Sequence, residues 1–214
     1  MLVEAPTPAT DTMPDENKVD RRRRPERRFE ILKAVMSLLE KGHRRVTTAD
    51  LAAEVGLSEA ALYRHFTGKD AIFHALTEYL QEHLLKAEDQ LVNKASSSLS
   101  QLRQICEYHL QFFSDHPGMC RIFLVEGVVT RSESVIMNNI IKDYGKQIQA
   151  ILAKAQDAGE LPKKLALEAA TNFYIGLIQA ATLRFVMSGF TAKPLDELPV
   201  LWEFFCRGVG AAEK

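Results

Sequence analysis

The chain has 214 residues, of which 46% are hydrophobic and 26% are charged, with a formal net charge of −1. This composition is typical of a globular protein large enough to bury a core without disulfide or metal crosslinks. The three cysteines include no Cys-x-x-Cys pair, and no apolar run reaches the roughly 18 residues that span a bilayer. The N-terminus lacks the apolar stretch of a signal peptide, so we expect a cytoplasmic protein.

The charge is distributed unevenly along the chain. Residues 1–17 carry a net charge of −4, and residues 74–214 carry −2. Residues 18–73 hold 13 Lys and Arg against 8 Asp and Glu, a net charge of +5. A basic segment in an otherwise acidic chain predicts a localised face that binds anions such as DNA phosphates.

Residues 1–24 form the first predicted segment. They are rich in Pro, Thr, Asp and Glu and end in the run Arg21–Arg24. Because they offer few large apolar groups for burial, we expect a disordered basic arm. Such an arm could follow the DNA backbone or enter a minor groove, and the alternative is a charge run that is simply solvated.

Three short helices are predicted next, in residues 25–70. Apolar residues recur at helical spacing from Pro25 to Gly42, and Thr47 and Thr48 then cap a second helix that reaches residue 55. Gly56 suits a turn position with positive φ, and Ser58 caps a third helix over 59–66. Two short helices joined by a tight glycine-containing turn are typical of a helix-turn-helix, although many such corners are purely structural.

The remaining chain, 71–214, also predicts helices only. Apolar residues recur at helical spacing in six further segments, which begin at Lys69 and Pro117 and cover 99–113, 134–158, 163–187 and 195–209. No stretch shows the period-two alternation of a β-strand. The expected fold is therefore all-α, with about nine helices. We interpret residues 71–214 as a helical regulatory and dimerisation domain beside the DNA-binding domain at 25–70.

The third helix offers small and polar side chains on its outer side, which suits a helix lying in a major groove. Glu59 could accept a hydrogen bond from cytosine, Arg64 could donate to guanine, and Ala60 could touch a thymine methyl group. Residues near the helix starts are suited to phosphates. The full set of candidate DNA contacts is Arg44, Arg45, Thr48, Ser58, Glu59, Ala60, Tyr63, Arg64, His65 and Lys69.

The pattern Gly56-Leu57-Ser58-x-x-x-Leu62-Tyr63-x-His65-Phe66-x-x-Lys69-x-x-Ile72 resembles the signature of the TetR family of transcriptional regulators. The resemblance implies a homodimer that reads a palindromic operator in double-stranded DNA, usually as a repressor released by a small apolar ligand. It implies phosphate contacts at positions 48, 63, 65 and 69, and groove contacts at positions 58, 59, 60 and 64. It also implies that the last two long helices form a four-helix bundle with their counterparts in the partner.

A narrower resemblance within this family extends beyond the helix-turn-helix. Residues 58–66, 116–122 (HPGMCRI) and 183–190 (LRFVMSGF), followed by Pro194, Asp196 and Trp202, are similar in order and spacing to nucleoid occlusion factors. These are DNA-bound, nucleoid-associated inhibitors of cell division. The resemblance keeps a division inhibitor as an alternative to a ligand-responsive repressor.

Two further sets of residues are expected in the larger domain, and neither is catalytic. The chain has no catalytic motif and no His, Cys and carboxylate spacing typical of a metal site, so we expect neither an enzyme nor a cofactor or metal. Candidate ligand-pocket residues, which could equally be plain core, are Phe112, Phe113, Met119, Phe123, Met137, Phe173 and Tyr174. Candidate dimer-interface residues are Phe173, Gly176, Leu177, Ala180, Leu183, Trp202 and Phe205.

Overall fold

In a computed structural model, the backbone is described for residues 16–43, 46–91, 97–122, 124 and 131–211, and the side chains for 25–43, 46–84, 97–122, 124 and 137–211. All regular elements of this part are helices, which confirms the predicted all-α class. They are α1 (Glu16–Glu40), α2 (Thr48–Glu54), α3 (Glu59–His65), α4 (Lys69–Leu91), α5 (Ser98–Asp115), α6 (Pro117–Arg121), α7 (Arg131–Asp157), α8 (Leu167–Met187) and α9 (Pro194–Gly208).

Helix α1 starts earlier than the sequence pattern indicates. It begins at Glu16 and passes through Pro25, so the expectation that residues 16–24 are disordered is wrong, while residues 1–15 lie outside the described part. The segment before Pro25 consists mostly of Asn, Lys and Arg, which tolerate or favour helix, with acidic residues at its start. An interior proline removes one backbone hydrogen bond and normally kinks or breaks a helix, yet α1 continues through Pro25.

The head of the molecule, defined as α1, α2 and α3, has its own small core. Leu51, Leu62 and Phe66 are buried against the apolar side of α1. Ala52, which is also buried, is small where α2 meets its neighbours. Gly56 has φ +66° in the turn between α2 and α3, as expected for a residue without a Cβ atom.

The body consists of α4, α5 and α7 to α9 around the main core. The hydroxyl of Tyr174 in α8 donates to the carbonyl of Leu102 in α5 at 2.7 Å, which satisfies a fully buried polar group. The carboxylate of Glu160 accepts from the backbone N–H groups of Ser98 and Leu99 at 3.0 and 2.9 Å and so caps the start of α5. None of the described helices is long and apolar enough to cross a membrane.

The head and the body meet where α6 crosses the end of α1. The N–H of Gly118 donates to Glu40 Oε1 at 3.0 Å, and Arg121 Nη1 donates to the carbonyl of Leu39 at 2.9 Å. A Cβ atom at Gly118 would lie 2.4 Å from the carbonyl oxygen of Met36. Only glycine allows the two backbones to approach this closely.

Candidate nucleic-acid interface

Helix α3 is fixed at its start by Ser58. The Ser58 hydroxyl accepts from the N–H of Ala61 at 3.2 Å, the geometry of an N-cap. Leu62 anchors the inner side of the helix in the head core. Ala60, Tyr63 and Arg64 are exposed on the outer side, with Tyr63 at 49% exposure. The structure thus places the predicted groove-facing residues on one accessible surface.

The start of α2 is joined to the start of α3 through two predicted contact residues. The hydroxyl of Thr48 donates to Glu59 Oε2 at 2.7 Å, and both side chains lie at the exposed surface of the head. This bond orients the Glu59 carboxylate, which retains further lone pairs for an incoming donor. Sequence spacing placed both residues near DNA but did not indicate that they contact each other.

Thr47, not Thr48, is the N-cap of α2. Its hydroxyl accepts from the N–H of Asp50 at 3.1 Å, and the Asp50 carboxylate accepts from both the hydroxyl and the N–H of Thr47. These hydrogen bonds lower the pKa of Asp50, with the hydroxyl bond as the largest cause. The reciprocal capping box holds the turn before α2 in a defined conformation.

Lys69 lies exposed at the start of α4, beside the beginning of α2. Lys69, Thr47 and Thr48 all border one apolar cavity of about 50 Å³ beneath the head, which α1 and α4 also line. The structure therefore brings together two of the residues expected to hold phosphates, Thr48 and Lys69. Arg44 and Arg45, which were expected to add charge here, lie outside the described residues.

Arg28 is a residue that the sequence analysis did not single out. Its Nη1 atom donates to the carbonyl of His65 at 2.6 Å, and its guanidinium lies 4.1 Å from the centre of the Phe66 ring. These contacts fasten the end of α3 to α1, with a cation near the carbonyl end of the helix. His65, which was expected at a phosphate, is half-buried. The sequence pattern could not predict the contact between Arg28 and His65, because the two residues are 37 positions apart.

Most of the predicted ligand-pocket residues that the structure describes are buried in the core. Phe113 borders a cavity of about 20 Å³, together with His109, Tyr144 and Gln179, which leaves room for about one water molecule. Phe173 is half-exposed on α8, and its place in a pocket stays a prediction. Phe123 lies outside the described residues. The other four predicted residues belong to the packed core: Phe112, Met119, Met137 and Tyr174.

A polar pair lies beside this small cavity. His109 is fully buried, and its Nε2 atom lies 3.2 Å from the carbonyl of Leu84, which can only accept, so Nε2 carries the proton. The Tyr144 hydroxyl therefore donates to Nδ1 at 3.0 Å. Burial lowers the pKa of His109 to about 4, so the imidazole is neutral at pH 7.

Helices α8 and α9 carry several large apolar side chains that are exposed to solvent. Phe173, Leu183 and Met187 are exposed on α8, with Gly176 and Ala180 between them at helical spacing. Val200 and Phe204, which the sequence analysis missed, are 55% and 58% exposed on α9. Three predicted interface residues are instead buried within the subunit, where they offer little surface to a partner: Leu177, Trp202 and Phe205.

The described residues contain no cluster of three or more His, Cys, Asp or Glu side chains that could hold a metal ion. The thiols of Cys106 and Cys120 are buried, and desolvation raises the pKa of each to about 12. Both cysteines are therefore protonated core residues at neutral pH.

Comparison with known proteins covers both the head and the body. A family model described as "Bacterial regulatory proteins, tetR family" matches residues 31–76, and one described as "YsiA-like protein, C-terminal region" matches residues 76–196. Nucleoid occlusion factor SlmA of Marinomonas sp. (strain MWYL1) is 31% identical over 180 residues, 83% of this chain and 91% of that protein. SlmA of Vibrio vulnificus (strain YJ016) is 31% identical over 182 residues, 82% of this chain and 92% of that protein.

Solved structures of regulators share the fold. The fatty acid degradation regulator FadR of Bacillus halodurans matches with a TM-score of 0.77 at 14% identity, over 86% of this chain and 97% of that one. FadR of Bacillus subtilis, solved in complex with stearoyl-CoA, matches with a TM-score of 0.75 at 16% identity, over 85% and 98% of the two chains. With the family models and the curated relatives, these matches identify the protein: it belongs to the TetR family of bacterial regulatory proteins and is a DNA-binding regulator rather than an enzyme.

Proposed function

We propose that this TetR-family protein is a cytoplasmic, dimeric transcriptional repressor that binds a palindromic operator and is released from it by a small apolar ligand. The main support for sequence-specific DNA binding is the accessible outer side of α3. Ala60, Tyr63 and Arg64 are exposed there, on a helix that is anchored at both ends. A rigid helix with small residues near its start can lie in a major groove with its side chains at the base edges.

Phosphate contacts accompany this surface. Thr48, Tyr63 and Lys69 are at the surface of the head or its edge, where hydroxyl and ammonium donors can reach phosphate oxygens. The first test is fluorescence anisotropy of the purified protein with labelled genomic duplexes. Lys69→Ala should weaken binding to all duplexes alike and reduce the salt dependence, because phosphate contacts carry no sequence information. Loss of affinity for one operator with unchanged binding to random DNA would contradict this role.

Dimerisation is supported by the apolar stripe on α8 and α9. A row that includes Phe173, Leu183, Met187, Val200 and Phe204 leaves large apolar groups in water unless a second copy covers them. One recognition helix also contacts too few base pairs for useful specificity, so two are needed. Sedimentation should find a dimer for the parent and a monomer for Phe204→Arg, because the new charge would be buried without a partner.

Phe29→Arg is the matched control for that measurement. Phe29 is an exposed phenylalanine at 39%, but it lies on α1, away from the stripe. This variant should remain dimeric. Equal dissociation of Phe29→Arg and Phe204→Arg would count against the stripe as the interface.

Release by a ligand is supported by the buried His109–Tyr144 pair and the small apolar cavity beside it. A cavity of about 20 Å³ is far below the volume that a drug-sized ligand fills, so binding would have to part the helices around it. Such movement in the body would change the separation of the two heads and favour the unbound dimer. A structural neighbour was solved with stearoyl-CoA, which suggests a first probe.

The probe experiment adds stearoyl-CoA to the protein bound to labelled operator, with free CoA as the control. Release by stearoyl-CoA alone would support an acyl-chain ligand. Unchanged binding with both compounds would argue against that ligand class.

A second candidate function is a nucleoid-occlusion role, in which DNA-bound dimers engage a cytoskeletal protein and block division. The observation that favours it is the 31% identity to SlmA proteins over 83% of this chain, which extends through the body as well as the head. Genome-wide mapping of bound sites separates the candidates. One or a few promoters would favour the repressor, while many dispersed sites together with filamentous cells on overproduction would favour occlusion.

A further inference from the structure

The cavity beneath the head lies where α1 and α2 meet the first turns of α4. Its floor consists of buried apolar side chains from these helices and from the residue that follows α6, among them Val35, Leu39, Leu51, Ile72, Leu76 and Ile122. Thr47 and Lys69 also border it and are exposed. The cavity therefore opens to solvent at the edge of the candidate DNA-binding surface, far along α4 from the cavity beside His109.

The size and lining of this cavity suit a small apolar group. Its volume is about 50 Å³, and protein interiors keep few voids larger than a water molecule. One water molecule needs about 10–15 Å³ measured in this way, so the cavity has room for about three or four carbon atoms. An ordered water molecule also needs two to four polar partners, which the apolar floor does not offer. A short hydrocarbon tail fits the floor better than water does.

The polar groups at the rim of the cavity favour an anion. The hydroxyls of Thr47 and Thr48 already donate to the carboxylates of Asp50 and Glu59, each at 2.7 Å. The ammonium group of Lys69 supplies three further N–H donors and a positive charge at the same rim. Helix α4 begins at Lys69, and the positive end of its dipole also favours a negative charge there. A carboxylate has the charge and the acceptor atoms that this rim requires.

We propose that the cavity beneath the head binds a short-chain monocarboxylate, with its apolar tail between α1 and α4 and its carboxylate at Lys69 Nζ, and that this ligand competes with a DNA phosphate for the same ammonium group. The competition rests on the proposed function, because it requires Lys69 to contact DNA, whereas binding of the ligand does not. Such a ligand would weaken DNA binding directly at the head, without any movement of the helices in the body. DNA would weaken binding of the ligand by the same factor.

The ligand site is tested without DNA, by NMR of the full chain with labelled Ile and Leu methyl groups. The probe is isovalerate, whose tail of four carbon atoms matches the cavity, and acetate is the control. We expect saturable shifts of the Ile72 and Leu76 methyl signals with isovalerate. Acetate should bind more than tenfold more weakly, because it lacks three carbons and each buried carbon contributes about fourfold in affinity. Shifts that do not saturate, or that acetate produces equally well, would overturn the site.

Two variants test the roles of the floor and the rim. Val35→Ile adds a methyl group to the cavity wall and should weaken isovalerate binding about fourfold or more. Val55→Ile is the matched control, because Val55 is half-buried in the head and does not line this cavity, so its affinity should equal that of the parent. Lys69→Met should weaken binding about threefold, the contribution of an exposed ion pair. Equal affinities for the parent, Val35→Ile and Lys69→Met would overturn the site.

Competition with DNA is tested by anisotropy on a duplex that the parent binds, in saturating sodium isovalerate or in sodium acetate of equal ionic strength. Each phosphate contact contributes about 0.9 to the slope of log affinity against log salt concentration, so losing one Lys69 contact in each subunit of a dimer should lower the slope by about 1.8. Acetate should leave the slope unchanged. An unchanged slope in isovalerate would overturn the competition. A parent that binds no duplex at low salt would overturn the proposed function, while the methyl titration would still decide the ligand site.

Discussion

The guanidinium of Arg28 lies 4.1 Å from the centre of the Phe66 ring while its Nη1 atom donates to the carbonyl of His65 at 2.6 Å. One side chain of α1 thereby contacts the last helical residue of α3 and the residue that follows it. With the Ser58 cap at the other end, α3 is held at both termini. A seven-residue helix is too short to be stable by itself, so these end contacts define its position.

Arg28→Met should loosen α3 and weaken DNA binding. Methionine retains the aliphatic stem but loses the hydrogen bond and the cation–π contact, which together contribute about 1–2 kcal/mol to stability. Hydrogen exchange of the α3 amides and chemical unfolding would measure the change. Arg27→Met is the control, because Arg27 forms an exposed pair within its own helix and should change stability by less than about 0.5 kcal/mol.

Thr48→Val should alter base preference in the same direction as Glu59→Ala. The Thr48 hydroxyl orients the Glu59 carboxylate at 2.7 Å, and valine keeps the shape of the side chain without the donor. Selection of bound duplexes from a random pool would measure both variants. Selected sites identical to those of the parent for Glu59→Ala would show that Glu59 does not read bases. A changed preference for Glu59→Ala alone would show that Thr48 does not position it.

Gly118→Ala should separate α6 from α1 and destabilise the junction of head and body. The added Cβ atom would lie 2.4 Å from the carbonyl oxygen of Met36, a backbone atom that cannot move aside independently. We expect a loss of about 2 kcal/mol or more in the free energy of unfolding, since overpacking typically costs about 1–3 kcal/mol. Gly68→Ala is the control, because a Cβ atom there meets nothing within 4 Å. Equal stability of the parent and Gly118→Ala would contradict the close approach of the α6 and α1 backbones.

Stability should fall as the pH is lowered from about 6.5 towards 4 because of His109. Burial lowers the pKa of this group from 6.5 to about 4, so in this interval the unfolded chain binds a proton that the folded chain does not. The stability contribution is fully present above pH 6.5 and is lost as the pH falls. Between pH 7.5 and 5 we expect a loss of about 2 kcal/mol from this group, measured by urea unfolding.

His109→Gln is the control for the pH measurement. Glutamine does not titrate, so the variant should lose less stability than the parent between the two pH values. The pH interval ends above the ordinary carboxylate pKa range, which limits contributions from groups such as Asp50, whose pKa is lowered further. An identical pH dependence in parent and variant would show that another group is responsible.

The local signals in the sequence were sufficient for the helix-turn-helix. Gly56, Ser58 and the apolar spacing of Leu51 and Leu62 are short-range features, and the structure shows the positive φ, the cap and the buried pair that they predict. The start of α1 was predicted wrongly at Pro25. A proline and a polar composition both disfavour helix locally, but the flanking residues continue the helix through that position.

Short-range signals predicted the helical class and the position of the helix-turn-helix, because caps, turns and helical spacing are encoded within a few residues. Which side of an apolar helix is buried depends instead on how the helices pack. In α8 and α9, apolar groups occur on both sides, and packing buries Leu177, Trp202 and Phe205 while leaving Val200 and Phe204 in solvent. Such a choice depends on contacts between residues far apart in the chain, as does the Arg28 contact with the end of α3.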